Sequence, residues 1–506
     1  MRRFGFVGLV NCAVMIVLCW SGGAIAQTTQ ATRRDLAVKL RELDAAWERA
    51  RDSEEARARA VPMISQAVST FFLNRFAETC RSVAQAIFKL EQAGTPSAER
   101  QWADALVMRG PRLLDPTQEA APRWTLHTAY ATPRLGRSLQ VRWSLLQQDR
   151  TVATGVIASP NPPVDFTMPI RGLGQGEYAI QLRVIEGTTV HREWREPLSL
   201  VPRAASRLRA LEAQLPSFQG RVNDFEWHSV RHWLQIVSET LAGATPETNY
   251  PIGRLLVEAE QAIAQWQQGR RWWANQPGDH WVSARYNEAV HYFRLFVPST
   301  TSSEPRPLVI ALHGAGGNEH LFFEGYGLGR VLTEAARRGW YVLAPRAGNR
   351  LDHVWAALEL AYAHLNVDRN RVLLIGHSMG GFQTFAAALQ RPTAFAGIAV
   401  YAAGSNASLT PLKDKPMFLA VGAQESAFLR ATVQNTREAL QRLDPCCFQY
   451  KEYAPCEHLM IVREALPDSF AFLERQISRS SEVGRDRAPN RKWQEVCVQT
   501  IGDRLG

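Results

Sequence analysis

The chain has 506 residues, 46% of them hydrophobic and 21% charged, a globular balance with enough apolar side chains for several packed cores, which excludes a chain disordered throughout. Its formal charge of +10 suits adhesion to the anionic polymers of a cell envelope. No nucleic-acid-binding motif accompanies that charge, so nucleic acid is not an expected partner.

Arg2 and Arg3 precede an apolar stretch over 4–20, and small residues then lead to Ala24, Ile25 and Ala26. A positive start, an apolar middle and an A-x-A-like end predict a secretory signal peptide over 1–26, cleaved after Ala26. An uncleaved membrane anchor is the rival reading. The expected localisation is therefore extracytoplasmic, secreted or periplasmic, with no membrane span after cleavage, because no later segment is long and apolar enough.

Residues 27–118 read as a helical segment, with Leu36, Val38, Leu40, Leu43 and Trp47, then 64–73 and 83–90, at helical spacing. Residues 119–203 alternate instead. Leu139, Val141, Trp143 and Leu145 point one way, and Tyr178, Ile180, Leu182 and Val184 repeat the pattern after a glycine-rich turn over 172–176. Short strands between Pro and Gly turns predict a β-sandwich of immunoglobulin-like type. Residues 204–282 return to helical spacing, with Trp227, Trp233, Trp266, Trp272 and Trp273. Tryptophan at that spacing packs against neighbouring helices more often than it stacks on a ligand. From their position just before the next region, these helices are candidates to narrow the mouth of its site.

Residues 283–478 change character again. Apolar runs at 290–298, 307–312, 339–345, 372–375, 396–402, 417–423 and 448–454 alternate with helical patterns, which predicts a doubly wound, mostly parallel sheet with its site at the carboxyl ends of the strands. The run ending at Ile375 enters Gly376-His377-Ser378-Met379-Gly380-Gly381 and then a helical pattern. This is the G-x-S-x-G nucleophile elbow in its required strand, turn and helix setting. Ser378 is the candidate nucleophile, and Gly376, Gly380 and Gly381 give strand and helix room to pass. A hydroxyl at neutral pH attacks a carbonyl poorly unless a base takes its proton.

The run 307–312 enters His313-Gly314-Ala315-Gly316-Gly317, a loop able to turn backbone amides toward a developing oxyanion. The expected donors are the amides of Met379 and Ala315, with Gly316 in reserve and Gly314 as a loop glycine. His313 reads as a structural residue behind that loop. In this arrangement the acid and the histidine follow the serine in chain order, and His458 is the one histidine after Ser378. Glu425, just past the run 417–423, is the candidate acid. The competing reading makes it a favourable first-turn residue of the next helix. Asp414 lies before its strand and Asp444 after the following helix.

On these motifs, residues 290–478 resemble a secreted α/β-hydrolase of the esterase and polyhydroxybutyrate-depolymerase-like group. The resemblance implies a serine esterase, and some secreted esterases of this kind carry an immunoglobulin-like module ahead of the catalytic domain. It departs from that group in two places, with Glu425 where aspartate is usual and Glu457 where glycine usually precedes the histidine. The short polar loop between the runs at 396–402 and 417–423 leaves no lid there, which argues against a lipase for bulk lipid. The implied substrate is a small-molecule or polymer-borne carboxylic ester, with no metal or organic cofactor. Two alternatives stand beside it: a serine peptidase related to the prolyl oligopeptidases, and a catalytically inactive exported binding or scaffold protein.

Export permits disulfides. Loss of Cys12 and Cys19 with the signal leaves Cys80, Cys446, Cys447, Cys456 and Cys497, an odd set. A bond from Cys456 to Cys446, Cys447 or Cys497 would brace the loop carrying His458. Residues 479–506 read as a polar, basic tail in which 493–501 docks.

Overall fold

The structure, a computed structural model, describes residues 31–485 apart from 119–120, 134, 136–138, 159, 300–302 and 446, with side chains described to residue 478. The expected signal peptide, Cys12, Cys19, Cys446, Cys497 and the segment 493–501 lie outside the described residues. The chain divides into two compact units, one of residues up to Ala274 together with Pro455–Leu459, the other of Asn275–Ala454 with the residues from Met460.

The first unit opens with helices Arg33–Arg49, Glu54–Phe72, Phe76–Glu91 and Ala98–Ala105. Local chemistry starts three of them: Thr32 and Asp35 form a reciprocal capping box, and Ser53 and Ser97 each accept a first-turn amide. Leu36, Leu43, Trp47, Ile64, Val83, Ile87 and Leu90 are buried, as their spacing demands.

The helical reading of 27–118 is corrected at its end. Strand β1 (Leu106–Arg109) leaves the helix Ala98–Ala105 without a break, and β2 (Leu113–Leu114) follows. No turn residue separates Leu106 from the helix, so local pattern misses the change, which antiparallel pairing with β3 (Arg123–Thr128) decides. Strands β4 (Gln140–Gln147), β5 (Arg150–Ala158), β6 (Val164–Thr167), β7 (Gly176–Glu186) and β8 (Thr189–Leu200) complete two sheets, ordered β1-β3-β6 and β2-β8-β7-β4-β5. Both sheets contribute to one core, where Val141, Trp143, Leu145, Ile180, Leu182 and Val184 meet Trp124 and Phe166.

Helices Ala204–Gln214, Asp224–Leu241 and Ile252–Gln267 follow. Trp227, Trp233 and Trp266 are buried among them, and the Trp266 indole N–H donates to Glu226 Oε2 at 2.7 Å. Packing, not display, is what these three rings do.

In the second unit, β9 (Gly278–Tyr286) and β10 (Ala289–Val297) form a hairpin through Asn287 and Glu288. Both turn residues have positive φ, 46° and 64°, the backbone of a type I′ turn. The first residues of β9 lie in the stretch read as helical. The usual hairpin signal is absent because the second turn position is glutamate instead of glycine.

Strands β11 (Arg306–Leu312), β12 (Tyr341–Pro345), β13 (Val367–His377), β14 (Gly397–Tyr401), β15 (Met417–Gly422) and β16 (Phe448–Tyr453) complete an eight-stranded sheet ordered β16-β15-β14-β13-β11-β12-β10-β9. The pairings from β12 through β16 are parallel, and β10 is antiparallel to both neighbours. Covered on both faces, the interior of the parallel sheet is buried throughout β12, β14 and β15, the residues of β11 after Arg306 and those of β13 from Val372, which is why those stretches are almost wholly apolar. Between β14 and β15 the chain makes only a short 3-10 turn, Thr410–Leu412. The last helix, Ile461–Arg485, runs past residue 478, where polar residues had suggested the start of the tail.

A buried charge cluster ties the first helix to the sheets of the first unit. Glu196 Oε2 sits 2.6 Å from Arg34 and 2.9 Å from Arg112, and all three side chains are buried. Burial alone raises the Glu196 pKa, but the two guanidiniums outweigh it and hold the carboxyl below the usual carboxylate range. A depressed folded-state pKa means this contribution is present above the unfolded pKa and is lost as pH falls through the folded one. Glu196→Gln, which strands two buried cations, is expected to cost about 3–5 kcal/mol in urea unfolding and to flatten the acid limb of stability. An unchanged urea midpoint would show that the cluster does not hold the helix.

Candidate functional site

The site is built where β11 and β13 run side by side, with Leu312 paired to Gly376. Strand β13 ends in Ser378, whose φ of 52° and ψ of −118° lie outside the regions that L-residues favour. That conformation is held from two sides. The Ser378 N–H donates to Tyr401 O of β14 at 2.9 Å, and its carbonyl accepts from the N–H groups of Gly381 and Phe382 at 2.9 and 3.1 Å, opening helix Met379–Gln390. Strain of this kind persists only where the surroundings over-determine it.

The elbow glycines are required by contact. A Cβ at Gly376 would lie 2.2 Å from Gly380 O, one at Gly380 2.1 Å from Leu312 O, and one at Gly381 2.6 Å from Ala403 Cβ. Helix and strands therefore cross backbone to backbone. Met379 is half-buried at the first position of the helix, where amide N–H groups carry the positive end of the dipole.

Past β11 the loop folds into a turn closed by the Gly317 N–H on Gly314 O at 3.1 Å. Gly316, with φ 76°, fills its third position, where a type II turn needs positive φ. Ala315 and Gly316 are exposed, and Gly314 is buried. His313 is buried behind the turn, with Nδ1 2.8 Å from Gly314 O and Nε2 accepting the Ala347 N–H at 3.0 Å. Burial lowers its pKa, and with one nitrogen donating and the other accepting it is a neutral structural imidazole.

A residue without a sequence signal links the two halves. Tyr326 Oη accepts the Gly314 N–H at 3.3 Å and shares a hydrogen with His377 Nδ1 at 2.6 Å. One buried phenol thus bridges the residue before Ala315 and the residue before Ser378. A Cβ at Gly314 would come 2.9 Å from His377 Nδ1 and 3.3 Å from Tyr326 Oη, so glycine is needed there for room. Tyr326 is followed by Gly327, Leu328 and Gly329, all left-handed, a break that no local motif announces.

Glu425 stands three residues past β15, and it is buried while Gln424 is exposed. Its Oε1 accepts the Ser426 N–H at 2.7 Å. His458, five residues past β16, is half-buried and lies in the Pro455–Leu459 segment that groups with the first unit. Within that segment Glu457 is buried, and its Oε2 accepts the Leu459 N–H at 2.7 Å. The structure thus brings Ser378, Met379, Gly376, Gly380, Gly381, Gly314, Ala315 and Gly316 to one end of two adjacent strands.

Of the pairings expected for Cys456, those with Cys446 and Cys497 involve residues outside the described ones. Among the described residues Cys447 forms no disulfide, and the Cys456 Sγ lies 3.6 Å from the Glu457 carbonyl oxygen. Among the described residues no group of His, Cys, Asp and Glu side chains is placed to hold a metal ion, and no helix is long and apolar enough to cross a membrane.

Sheet order, elbow and loop define an α/β-hydrolase domain. Residues 309–491 match the Alpha/beta hydrolase family. Similar solved structures include a thermostable esterase, 18% identical with a TM-score of 0.35 over 39% of this chain and 62% of that one. An S-formylglutathione hydrolase from Staphylococcus aureus is 14% identical, with a TM-score of 0.34 over 40% of this chain and 99% of that one. An acylaminoacyl peptidase from Pyrococcus horikoshii is also 14% identical, with a TM-score of 0.33 over 39% of this chain and 41% of that one. No curated protein matches the sequence.

The phenol bridge has a measurable consequence. Tyr326→Phe keeps the ring but leaves the buried Gly314 N–H and His377 Nδ1 without this shared oxygen, at an expected cost of about 1–3 kcal/mol in unfolding free energy. Denaturation identical to that of the parent would show that the bridge contributes nothing.

Proposed function

We propose that the protein is an exported serine hydrolase that cleaves carboxylic esters through an acyl-enzyme on Ser378. The observation that carries this reading is the strained backbone of Ser378 at the end of β13, held by the tight crossing of strand and helix and of direct use in presenting a nucleophile. Ser378 attacks the acyl carbon as His458 takes its proton. His458 then returns that proton to the leaving alkoxide, and Glu425 orients the imidazole. The amides of Met379 and Ala315, or Gly316 in its place, receive the oxyanion, each worth about 3 kcal/mol of transition-state stabilisation. Water then releases the acyl group and regenerates Ser378.

Two features support the assignments of acid and base. Glu425 follows β15, and His458 follows β16, the chain order such a triad takes. Of the neighbours Gln424 and Glu425, the carboxylate is the buried one. Export rests on the signal-like residues 1–26, and the two-sheet region is read as an immunoglobulin-like module carried ahead of the hydrolase.

The test offers p-nitrophenyl acetate and butyrate, a feruloyl ester and a prolyl peptide to the protein, with a fluorophosphonate probe and Ser378→Ala as control. Ester turnover and probe labelling that both vanish in Ser378→Ala are expected. Turnover of the peptide alone would replace the esterase with a peptidase, and absence of labelling would leave a binding or scaffold protein. Glu425→Ala is expected to lower kcat/KM by up to about 10⁴-fold, the scale of losing the orienting acid. Near-normal turnover would move that role to another residue.

A further inference from the structure

The loop that follows β11 is held at both of its ends by two consecutive residues. Strand β12 runs parallel to β11, so the chain after Pro345 leaves the sheet at the same edge as the chain after Leu312. At the near end of the loop, Ala347 donates its N–H to His313 Nε2 at 3.0 Å. At the far end, the Arg346 guanidinium forms a fork on Glu319, with Nε on Oε2 at 2.7 Å and Nη2 on Oε1 at 2.6 Å. Ala315 and Gly316 lie between those two anchors. Three glycines in the five residues 313–317 give the loop little stiffness of its own.

Both partners of the fork are themselves fixed. The Arg346 N–H donates to Tyr292 O of β10 at 2.9 Å, and its guanidinium lies over the Tyr292 ring, 4.8 Å from the centroid. Glu319 is 1% exposed and has a second neighbour in His320 Nε2, 3.2 Å from Oε1. His320 Nδ1 faces Arg294 Nη1 at 3.0 Å, so Nδ1 accepts there and Nε2 carries the hydrogen that goes to Glu319. Arg294, buried in β10, pairs in turn with Asp279 and, at 2.9 Å, with Glu324. Burial pushes the Glu319 pKa up, but His320 and Arg346 outweigh it and hold the carboxyl well below the usual carboxylate range. The fork therefore stays ionised around neutral pH.

We propose that Glu319 is a positioning residue for the oxyanion amides, gripped by Arg346 so that the N–H groups of Ala315 and Gly316 keep one placement through the reaction. This rests on the reading of Ser378 as nucleophile and of the loop as its oxyanion site. Such donors stabilise a developing oxyanion because they are already aimed when the charge appears, and a misplacement of about 1 Å can cost a factor of about 100 in rate. The turn's own hydrogen bond, from the Gly317 N–H to Gly314 O, fixes its shape but not where it sits. The fork on Glu319 and the Ala347 bond to His313 fix its place against the end of β12.

Glu319→Gln and Arg346→Ala in the full chain test this, the second from the exposed side of the fork, and Arg346→Lys keeps the charge without the fork. In the first two, kcat on p-nitrophenyl acetate is expected to fall about tenfold or more, with KM changed less than about twofold. The Ki of a trifluoromethyl ketone, whose tetrahedral adduct on Ser378 carries the oxyanion, is expected to rise by the factor by which kcat falls. Arg346→Lys is expected to fall between these variants and the parent. The pH–rate profile keeps its shape and loses height, because Glu319 does not titrate in that range. Hydrogen–deuterium exchange of the amides at 315–317 is expected to quicken in Glu319→Gln and Arg346→Ala. Unchanged exchange there, or a loss of activity confined to KM, overturns the proposal. Absence of ester turnover in the parent would instead overturn the hydrolase reading, and exchange at 315–317 would still decide whether the fork holds the loop.

Discussion

Three backbone segments share one point of the hydrolase sheet, and the rest of the site follows from that crossing. The end of β11, the end of β13 and the start of helix Met379–Gln390 approach so closely that side chains at Gly376 and Gly380 would fall within 2.1 to 2.2 Å of main-chain oxygens. Such an approach forces the chain to reverse within one residue. Ser378 takes the unfavourable φ and ψ because Tyr401 O holds its amide and the new helix holds its carbonyl. The placement of Ser378 is thus a consequence of how strand and helix pass.

The same crossing ties the amide loop to the serine. Gly314 and His377 are neighbours through the hydroxyl of Tyr326. Charged residues do comparable work in the first unit, where Arg34, Glu196 and Arg112 join a helix to β8 and Lys39, Glu42 and Arg192 fix the end of helix Ala98–Ala105. Each buried ion has several neighbours, and that is the condition under which burial of charge is tolerated.

Much of this architecture was legible in the sequence wherever a local rule has a physical cause. The apolar runs of β11, β12, β14, β15 and the second half of β13 follow from burial on both faces, and the glycines around Ser378 follow from contact. The period-2 alternation of β4 and β7 likewise marks strands with one buried face. What escaped has equally physical reasons. Strand β1 continues a helix with no turn residue between them, β9 returns through an Asn-Glu turn lacking the usual glycine, and the last helix keeps its backbone after its apolar periodicity fades.

By itself the sequence determined where the elbow, the glycine loop, Glu425 and His458 stand relative to the strands and in what order, because strand and turn patterns set those positions along the chain. Only the tertiary structure decided what supports them. Tyr326 is 51 residues from His377, and Arg34 is 162 from Glu196. Pairings across such separations depend on packing of whole elements, and a local pattern holds no record of them.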